Sequence, residues 1–487
     1  MQQFLSIKRK QPAKRNVSER ILDYQEITHK FSTMQARAQA SRCEQCGNPG
    51  CEYQCPLGNY ILDWVRLAAA NRIVDAAQLS QATNKFPEIC GRICPQDRLC
   101  EQNCILTHIN EGAITIGSIE AWINDEALAQ GYVYNPKPQT KKNIKVAVIG
   151  SGPAGLTCAD ELHLQGYDVT VFEQASHPGG LMLFGIPNFK LDKSLINNRI
   201  KLFEQKGIHF ECQKTFGHDF SIKDLRDTGF KAVYLAFGAY KPKKLTIPGN
   251  DLPGIYDALP FLIQTNKMNL ALDYQIAESV NLENKDVVVL GGGDTAMDCV
   301  RTSIRKKARS VTCLYRRDQQ NMPGSQKEVM HAQEEGGIFK FLTDATSIIE
   351  HKNRLLINAV KMQLTAKDTS GRLQVSPTNI TEQLKTDVVL TAFGFDVDTN
   401  AALKNKINVN KWGQVVVDDN DMTNVPGVFA GGDCVRGASL VVWAIKDGRD
   451  TAVHINNYLL NKPPLGDLKE SKTQKPASSA KYHAQQE

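Results

Sequence analysis

The chain has 487 residues, 41% of them hydrophobic and 23% charged, with a formal net charge of +6; this is the balance of a soluble globular protein with room for two to four domains of about 100–200 residues. It holds no run of 18 or more apolar residues, which excludes a transmembrane helix. Its 13 cysteines come without a secretory signal, which excludes a secreted disulfide scaffold and favours a reducing cytoplasm and metal ligation.

The first segment, "MQQFLSIKRKQPAKRNVSER", is basic. It has no apolar stretch of the signal-peptide kind and too little serine for a mitochondrial presequence. No basic and aromatic recognition module follows, so the charge is read as a bias toward an acidic protein partner and not toward nucleic acid.

Eight of the cysteines lie between Cys43 and Cys104. The spacing is C-x2-C-x4-C-x3-C-P for Cys43, Cys46, Cys51 and Cys55, then C-x3-C-P-x4-C-x3-C for Cys90, Cys94, Cys100 and Cys104. Eight thiolates match the ligand count of two 4Fe–4S clusters, although the first group has two residues more than the bacterial ferredoxin pattern. Four-cysteine zinc sites share the C-x2-C step and are the main rival. Around and after these cysteines the apolar residues recur at helical spacing, in "YILDWVRLAAANRIVDAAQL" and "IGSIEAWINDEALAQ", so residues 1–130 are expected to form a helical cysteine domain. A polar, Pro-containing linker, "GYVYNPKPQTKKN", follows.

From residue 144 strand and helix signals alternate, the mark of an α/β fold. "VAVIG" reads as a buried strand. Gly150, Gly152 and Gly155 then give G-x-G-x-x-G with Pro153 and Ala154 inside it. The first glycine permits a tight turn, the second admits a pyrophosphate, and the third lets helix and strand pack closely. Glu173 ends the next strand, 23 residues after Gly150, where its carboxylate can bond a ribose hydroxyl. A second segment repeats the pattern. Gly291, Gly293 and Ala296 form G-x-G-x-x-A around Asp294 and Thr295, and its second strand ends in Arg316 and Arg317 instead of an acid. An acid there would repel a 2′-phosphate, whereas guanidiniums bind it through charge-assisted forks of about 1.5–3 kcal/mol per bond. NADP(H) is therefore expected over NAD(H). Near the end, "GVFAGGDCVRGASLVVWAIKDGRDTA" places Gly432 and Asp433 between a strand and a helix. The tail from 463 to 487 is polar and is expected to be disordered.

The order of these motifs resembles the two-dinucleotide-domain flavoproteins. That resemblance implies that Asp433 bonds the FAD ribityl chain and that the helix beginning near Ser439 points its N-terminus at the flavin. It implies that "HPGGLMLFGIP", with Gly180, Leu181, Phe184 and Gly185, is the flavin-contacting loop. "AFGAY" and "AFGF" would be the crossover strands. The FAD domain is then discontinuous, 144–245 and 380–462, with the NADPH domain, 246–379, inserted. The nicotinamide domain has only Cys299 and Cys313, well separated in sequence, and the loop after Gly180 has no cysteine. Dithiol chemistry at the flavin is excluded on this reading, and electrons must leave another way. With a flavin beside them, the eight cysteines read as iron–sulfur ligands, because zinc has no redox chemistry to offer.

The chain from about 20 to 460 also resembles the small (beta) subunits of NADPH-dependent glutamate synthases. The resemblance is carried by "RCEQCGNPGCEYQCP", "EICGRICPQDRLCEQNC", "GAITIGSIEAWI", "FGIPNFKL", "GGGDTAMDCVRTS" and "YRRDQQNMPGSQKEV". Related modules occur in dihydropyrimidine dehydrogenase and in NADPH:ferredoxin transhydrogenase-type subunits. The resemblance implies that Cys43, Cys46, Cys51 and Cys104 hold one cluster. Cys55, Cys94, Cys100 and Glu120 would hold the other, leaving Cys90 as a nearby thiol; the bare eight-cysteine count makes Cys90 the ligand instead. It further implies an electron-transfer subunit that carries electrons from NADPH through FAD and two clusters to a large (alpha) glutamate synthase subunit. That subunit would form glutamate from glutamine and 2-oxoglutarate. A stand-alone or differently partnered NADPH:ferredoxin-type reductase and a zinc-bearing interaction protein are the other readings. No catalytic acid or base is expected, since hydride transfer needs none.

Overall fold

Two parallel five-stranded sheets with equivalent strand orders organise the computed structural model, which describes residues 2–132, 134–272, 280–367 and 373–461. The tail expected to be disordered lies outside the described residues. The cysteine unit is helical, with α1 at Thr33–Ala40, α2 at Ile61–Ala69, α3 at Ile73–Thr83, α4 at Pro87–Ile93 and α5 at Ile116–Ala129. A capping box between Ser32 and Gln35 starts α1, satisfying amide donors that a helix end leaves unpaired. The apolar run after Tyr60 breaks into α2 and α3 at Asn71, which takes a φ of 62°.

The α/β part runs β1 (Lys145–Ile149), α6 (Pro153–Leu164), β2 (Asp168–Glu173), α7 (Gly180–Phe184), α8 (Lys193–Lys206), β3 (His209–Cys212), β4 (Phe230–Leu235) and β5 (Lys241–Pro242). The inserted unit continues with β6 (Ile255–Asp257), α9 (Ala258–Asn269), β7 (Asp286–Leu290), α10 (Asp294–Arg305), β8 (Ser310–Tyr315), α11 (Gln326–Glu334) and β9 (Ile338–Phe341). Three long antiparallel strands follow, β10 (Thr343–His351), β11 (Arg354–Lys367) and β12 (Leu373–Thr386), then β13 (Val388–Thr391). The chain returns through β14 (Phe395–Asp396) and β15 (Val428–Ala430) to α12 (Asp433–Arg436) and α13 (Val441–Leu459).

The first sheet has the order β15-β4-β1-β2-β3 and the second β6-β13-β7-β8-β9. The motif strands β1 and β7 are central in each, buried along nearly their whole length, as parallel strands covered by helices on both faces must be. The short pair β5–β14 is antiparallel and carries both crossings between the two sheets. The expected domain boundary at 379/380 falls inside β12, and β13 pairs with β6 and β7. The inserted unit therefore ends after Thr391. The four-residue strand β13 has no local signal of which sheet it joins; its partners are set by long-range pairing.

The cysteine unit is fused to the first sheet's unit. Leu57, Phe86, Ile89 and Leu99 share one core with Leu156, Leu162 and Phe203, each such burial contributing about 1.5–3 kcal/mol. Phe86 and Phe203 meet edge to face at 6.0 Å. The basic arm does not wait for an external acidic partner. Lys14 pairs with Glu334 at 2.5 Å, and Arg20 with Glu334 at 2.7 Å and Glu335 at 3.1 Å. Arg305 donates to the Asp23 carbonyl at 3.0 Å. Lys14 and Arg20 thus find their acids at the end of α11 in this same chain, and Lys8 and Arg9 pair with Glu111 and Glu101. Among the described residues no helix is long and apolar enough to cross a membrane.

Candidate active site

The first glycine motif makes the turn from β1 to α6. Gly150 takes a φ of 100°, and a Cβ there would stand 2.5 Å from the Ala236 carbonyl oxygen. A Cβ on Gly155 would stand 1.9 Å from the Gly150 carbonyl oxygen, so both must be glycine. Gly152, the N-cap of α6, has nothing within 4 Å of its Cβ position; that open space is what a phosphate group needs beside the helix N-terminus. Pro153 occupies the first helical turn, where its missing N–H costs nothing. Glu173 is buried and accepts from the Ser151 N–H at 3.0 Å, the Ser151 hydroxyl at 2.5 Å and the Ala175 N–H at 2.7 Å. A carboxylate offers about four acceptor positions, so one remains for a ribose hydroxyl.

The loop after β2 turns at Gly179 and Gly180 into α7. A Cβ on Gly180 would press to 2.8 Å from the Gly152 Cα, so this loop lies against the first motif. Two side chains hold its free carbonyls. Lys193 Nζ donates to Met182 O at 2.8 Å and Ile186 O at 2.5 Å, and Asn266 Nδ2 donates to Phe184 O at 2.7 Å and Ile186 O at 3.1 Å. Burial pushes the Lys193 ammonium down to about 7. Lys190, just beyond the loop, pairs with Asp298 of α10 at 2.9 Å. Both residues line the same cleft as Leu181. Neither was singled out by sequence; Asp298 lies one helical turn past Asp294, the only hint that it shares a face with the motif.

In the second motif Gly291 and Gly293 repeat the pattern, with Gly293 again facing open space. Asp294 Oδ1 accepts from the Ser325 N–H at 3.0 Å, and Thr295 lines the cleft. The two arginines differ. Arg316 is exposed at the cleft, whereas Arg317 is buried and its Nε donates to the Leu373 carbonyl at 2.8 Å. Arg317 Nη1 is buried with no partner, and both arginines line the cleft.

Gly432 and Asp433 sit where β15 turns into α12. Gly432 takes a φ of 70° and its N–H donates to Asp447 Oδ2 at 3.1 Å. Asp433 Oδ1 is buried without a hydrogen-bond partner. Burial, then the charge of Asp447, pushes its carboxyl up to about 8. A buried carboxyl oxygen without a partner is costly, and a polyhydroxyl ligand would supply the missing partner. The expected helix near Ser439 is α13, and Ser439, Leu440 and Val441 line the cleft.

The cleft has a volume of about 720 Å³. It brings together Gly152, Pro153, Ala154, Leu181, Gly291, Gly293, Asp294, Thr295, Arg316, Arg317 and Asp433. Gly150, Gly155, Glu173, Gly180 and Gly432 stand behind this lining. Ile93, Cys94 and Pro95 of the cysteine unit also form part of its wall.

Cys94 simultaneously lines a second, small cavity of about 30 Å³ with Cys55, Cys90, Cys100 and Glu120. Glu120 is buried and accepts from Asn59 Nδ2 at 2.9 Å and Asn84 Nδ2 at 3.3 Å; burial pushes it up to about 8. Burial pushes the Cys55 thiol up to about 12. Cys94 is raised first by a hydrogen bond with Cys90 and then by burial. Cys90 and Glu120, the two alternatives for the fourth ligand, are thus in one cage. Cys43, Cys46 and Cys51 form the other group, each thiol raised by burial and further by the nearby Cys104. Cys104 lies 53 residues beyond Cys51, and Glu120 lies 65 beyond Cys55, so only the fold brings each to its group. Among the described residues no three His, Cys, Asp or Glu side chains converge closely enough to share one ion. Cys299 and Cys313 are both buried, and the Cys313 thiol donates to the Gly291 carbonyl at 3.2 Å.

Comparison with known proteins agrees with this division of the chain. Residues 144–448 match the pyridine nucleotide-disulphide oxidoreductase family, and residues 20–132 match the family described as dihydropyrimidine dehydrogenase domain II, 4Fe-4S cluster. The chain is 46% identical over 461 residues to the glutamate synthase (NADPH) small chain of Azospirillum brasilense, covering 93% of this chain and 95% of that one. It is 43% identical to the glutamate synthase (NADPH) small chain of Escherichia coli, covering 94% and 98%. It is 44% identical to the putative oxidoreductase AegA of Escherichia coli, covering 93% of this chain and 70% of AegA. Among solved structures, Mycobacterium tuberculosis FprA in complex with NADPH superposes with a TM-score of 0.55 at 20% identity, covering 66% of this chain and 85% of that one; this is a likeness of fold alone.

Proposed function

The chain belongs to the family of glutamate synthase (NADPH) small chains, with a pyridine-nucleotide oxidoreductase part and a 4Fe–4S part, and on that premise we propose that it moves electrons from NADPH through FAD and two 4Fe–4S clusters to a large glutamate synthase subunit. Bound in this chain, FAD would take hydride from NADPH as an electron pair and the clusters would carry single electrons outward.

The observation that carries the reading is the position of Cys94. It stands in the wall of the dinucleotide cleft and in the wall of the cage that holds Cys55, Cys100 and Glu120. In α13, Val441 lines the cleft and the next residue, Val442, lines the cage. Cleft and cage are therefore separated by single side chains, a short path for electrons.

The residues present fit the groups. Gly152, Glu173 and the unpartnered Asp433 Oδ1 suit the diphosphate, a ribose hydroxyl and the ribityl chain of FAD. Gly293 and the N–H groups of Asp294 and Thr295 at the start of α10 suit the pyrophosphate of NADPH, while the Asp294 carboxylate is held by the Ser325 N–H. Arg316, with the unpartnered Nη1 of Arg317, suits its 2′-phosphate. Cys43, Cys46, Cys51 and Cys104 are assigned to one cluster, and Cys55, Cys94, Cys100 and Glu120 to the other. The match of residues 20–132 to a 4Fe–4S family supports iron–sulfur over zinc, and all 13 cysteines are free, which suits a reducing cytoplasm.

The test is anaerobic purification with iron, sulfide and flavin measured, followed by NADPH oxidation with and without a co-expressed large subunit. About eight irons and one FAD per chain, and glutamate formation only with the large subunit, are expected. Zinc in place of iron would end this reading. A second reading, the same chemistry with another acceptor, is supported by the similarity to AegA, a longer oxidoreductase of which this chain covers 70%. NADPH oxidation coupled to ferredoxin but not to the large subunit would favour it.

A further inference from the structure

We propose that Arg98 is a positioning residue that couples occupancy of the nicotinamide phosphate turn to the cage containing Cys94 and Cys100, an inference that rests on the electron-path reading above. Arg98 ends a single 3-10 turn, Gln96–Arg98, lying between those two cysteines in sequence. Its guanidinium reaches out of the cysteine unit and into the nicotinamide unit. Nη1 donates to the Pro323 carbonyl at 2.5 Å, and Nη2 donates to the Gly324 carbonyl.

Those carbonyls belong to the turn that closes over the second glycine motif. The Gly324 N–H donates to the Gly292 carbonyl at 3.0 Å, and the Ser325 N–H donates to Asp294 Oδ1 at 3.0 Å. A Cβ on Gly324 would lie 3.0 Å from the Gly292 oxygen and 3.1 Å from the Gly293 carbonyl carbon, so the two turns are in direct contact. Pro323 lines the cleft beside them.

On its other side the Arg98 segment is held equally firmly. Gln96 lines the cage and its Nε2 donates to the Gly91 carbonyl at 3.0 Å, and Leu99 is buried. An unbroken chain of contacts thus runs from the turn that would cradle NADP(H) phosphates, through the Pro323–Ser325 turn and Arg98, to the backbone between Cys94 and Cys100. Close-packed contacts pass displacement on rather than absorbing it. Two carbonyls held by one planar fork are a geometry that lysine reproduces only in part.

A coupling between two sites is reciprocal: if the nucleotide changes the cluster's affinity for an electron, reduction of the cluster changes nucleotide affinity by the same factor. The test uses the holoprotein and 2′-phospho-ADP-ribose, which carries the phosphates of NADP(H) but no reducible ring. Cluster midpoint potentials are measured by EPR-monitored titration with and without it, and its dissociation constant is measured on oxidised and dithionite-reduced protein. About a tenfold coupling is expected, which for a one-electron couple is about 59 mV, with the same factor in the two dissociation constants. In Arg98→Ala both effects should vanish while iron and flavin content stay at the wild-type level, and Arg98→Lys should keep part of each. If Arg98→Ala loses iron, Arg98→Lys decides: a shift cut to half or less supports the coupling, and a full shift overturns it. A wild-type potential insensitive to the ligand, or a shift that survives Arg98→Ala, also overturns it. A wild-type preparation lacking iron would overturn the electron-path reading instead.

Discussion

Lys190 Nζ stands 2.9 Å from Asp298 Oδ1, and this pair joins the loop beside the first dinucleotide motif to the helix that begins at the second. Both side chains are mostly buried, and Glu328 stands 3.8 Å from the same ammonium. Removing one member of a buried pair leaves the other charge uncompensated, at a cost of about 3–5 kcal/mol. Lys190→Met should therefore lower stability by about that amount and slow flavin reduction by NADPH, since the two dinucleotide units lose a tie across their cleft. Adding Asp298→Leu should recover part of the stability. Denaturant unfolding and stopped-flow bleaching of the flavin check both; a single variant as stable as wild type would contradict the pairing.

Lys193 should make stability depend on pH in an unusual direction. Burial lowers its ammonium from 10.5 to about 7. Between these values the unfolded chain binds more protons at this site than the folded one, so stability rises with pH across that window. Below about 7 the folded state carries the full penalty of a buried charge. The difference in unfolding free energy between wild type and Lys193→Met should therefore grow by roughly 1 kcal/mol per pH unit above about pH 7. Parallel urea melts at pH 7, 8 and 9 measure it, and a flat difference would refute the assignment.

Arg316 should decide the choice between the two nicotinamide cofactors. It is the exposed arginine at the cleft, free of the backbone bond that occupies Arg317. Losing one charge-assisted bond to a 2′-phosphate costs about 1.5–3 kcal/mol, so Arg316→Ala should raise KM for NADPH about 10- to 100-fold and leave KM for NADH nearly unchanged. Arg317→Ala should in addition destabilise the chain, because it also drops the bond to the Leu373 carbonyl. Steady-state kinetics with both cofactors distinguish these outcomes.

Cys90 and Glu120 compete for one place in the cage. Glu120 is oriented by two amides, Asn59 and Asn84, whereas the Cys90 thiol donates one long bond to Asn84 Oδ1 at 3.8 Å. Oriented ligands bind metals best, so Cys90→Ser should keep about eight irons per chain, and Glu120→Ala should lose or alter one cluster. Iron analysis with EPR of the reduced protein would reveal the reverse pattern if the thiol is the ligand.

What the sequence determined by itself was local. Gly150, Gly152 and Gly155 specify a backbone path over six residues, and Gly291, Gly293 and Ala296 repeat it, because the steric need for a missing Cβ is met within one turn. The alternation of strands and helices and the helical cysteine unit follow from the same short-range rules, while the crossover pair is implied only by the resemblance to two-dinucleotide-domain flavoproteins. The tertiary structure alone decided the rest. Val388–Thr391 joins the second sheet through neighbours 101 residues away in β7 and 134 away in β6, as Val388 pairs with Val287 and Val389 with Ile255. Lys190 and Asp298 meet across 108 residues, and Arg20 finds Glu334 across 314. Lys14 likewise reaches Glu334 across 320 residues, a pairing that no local pattern in the arm announces. Cys94 became a shared wall between cleft and cage only when the cysteine unit packed its apolar face onto the first sheet's unit. Burial and long-range charge pairing are properties of the folded chain, and spacing along it does not encode them.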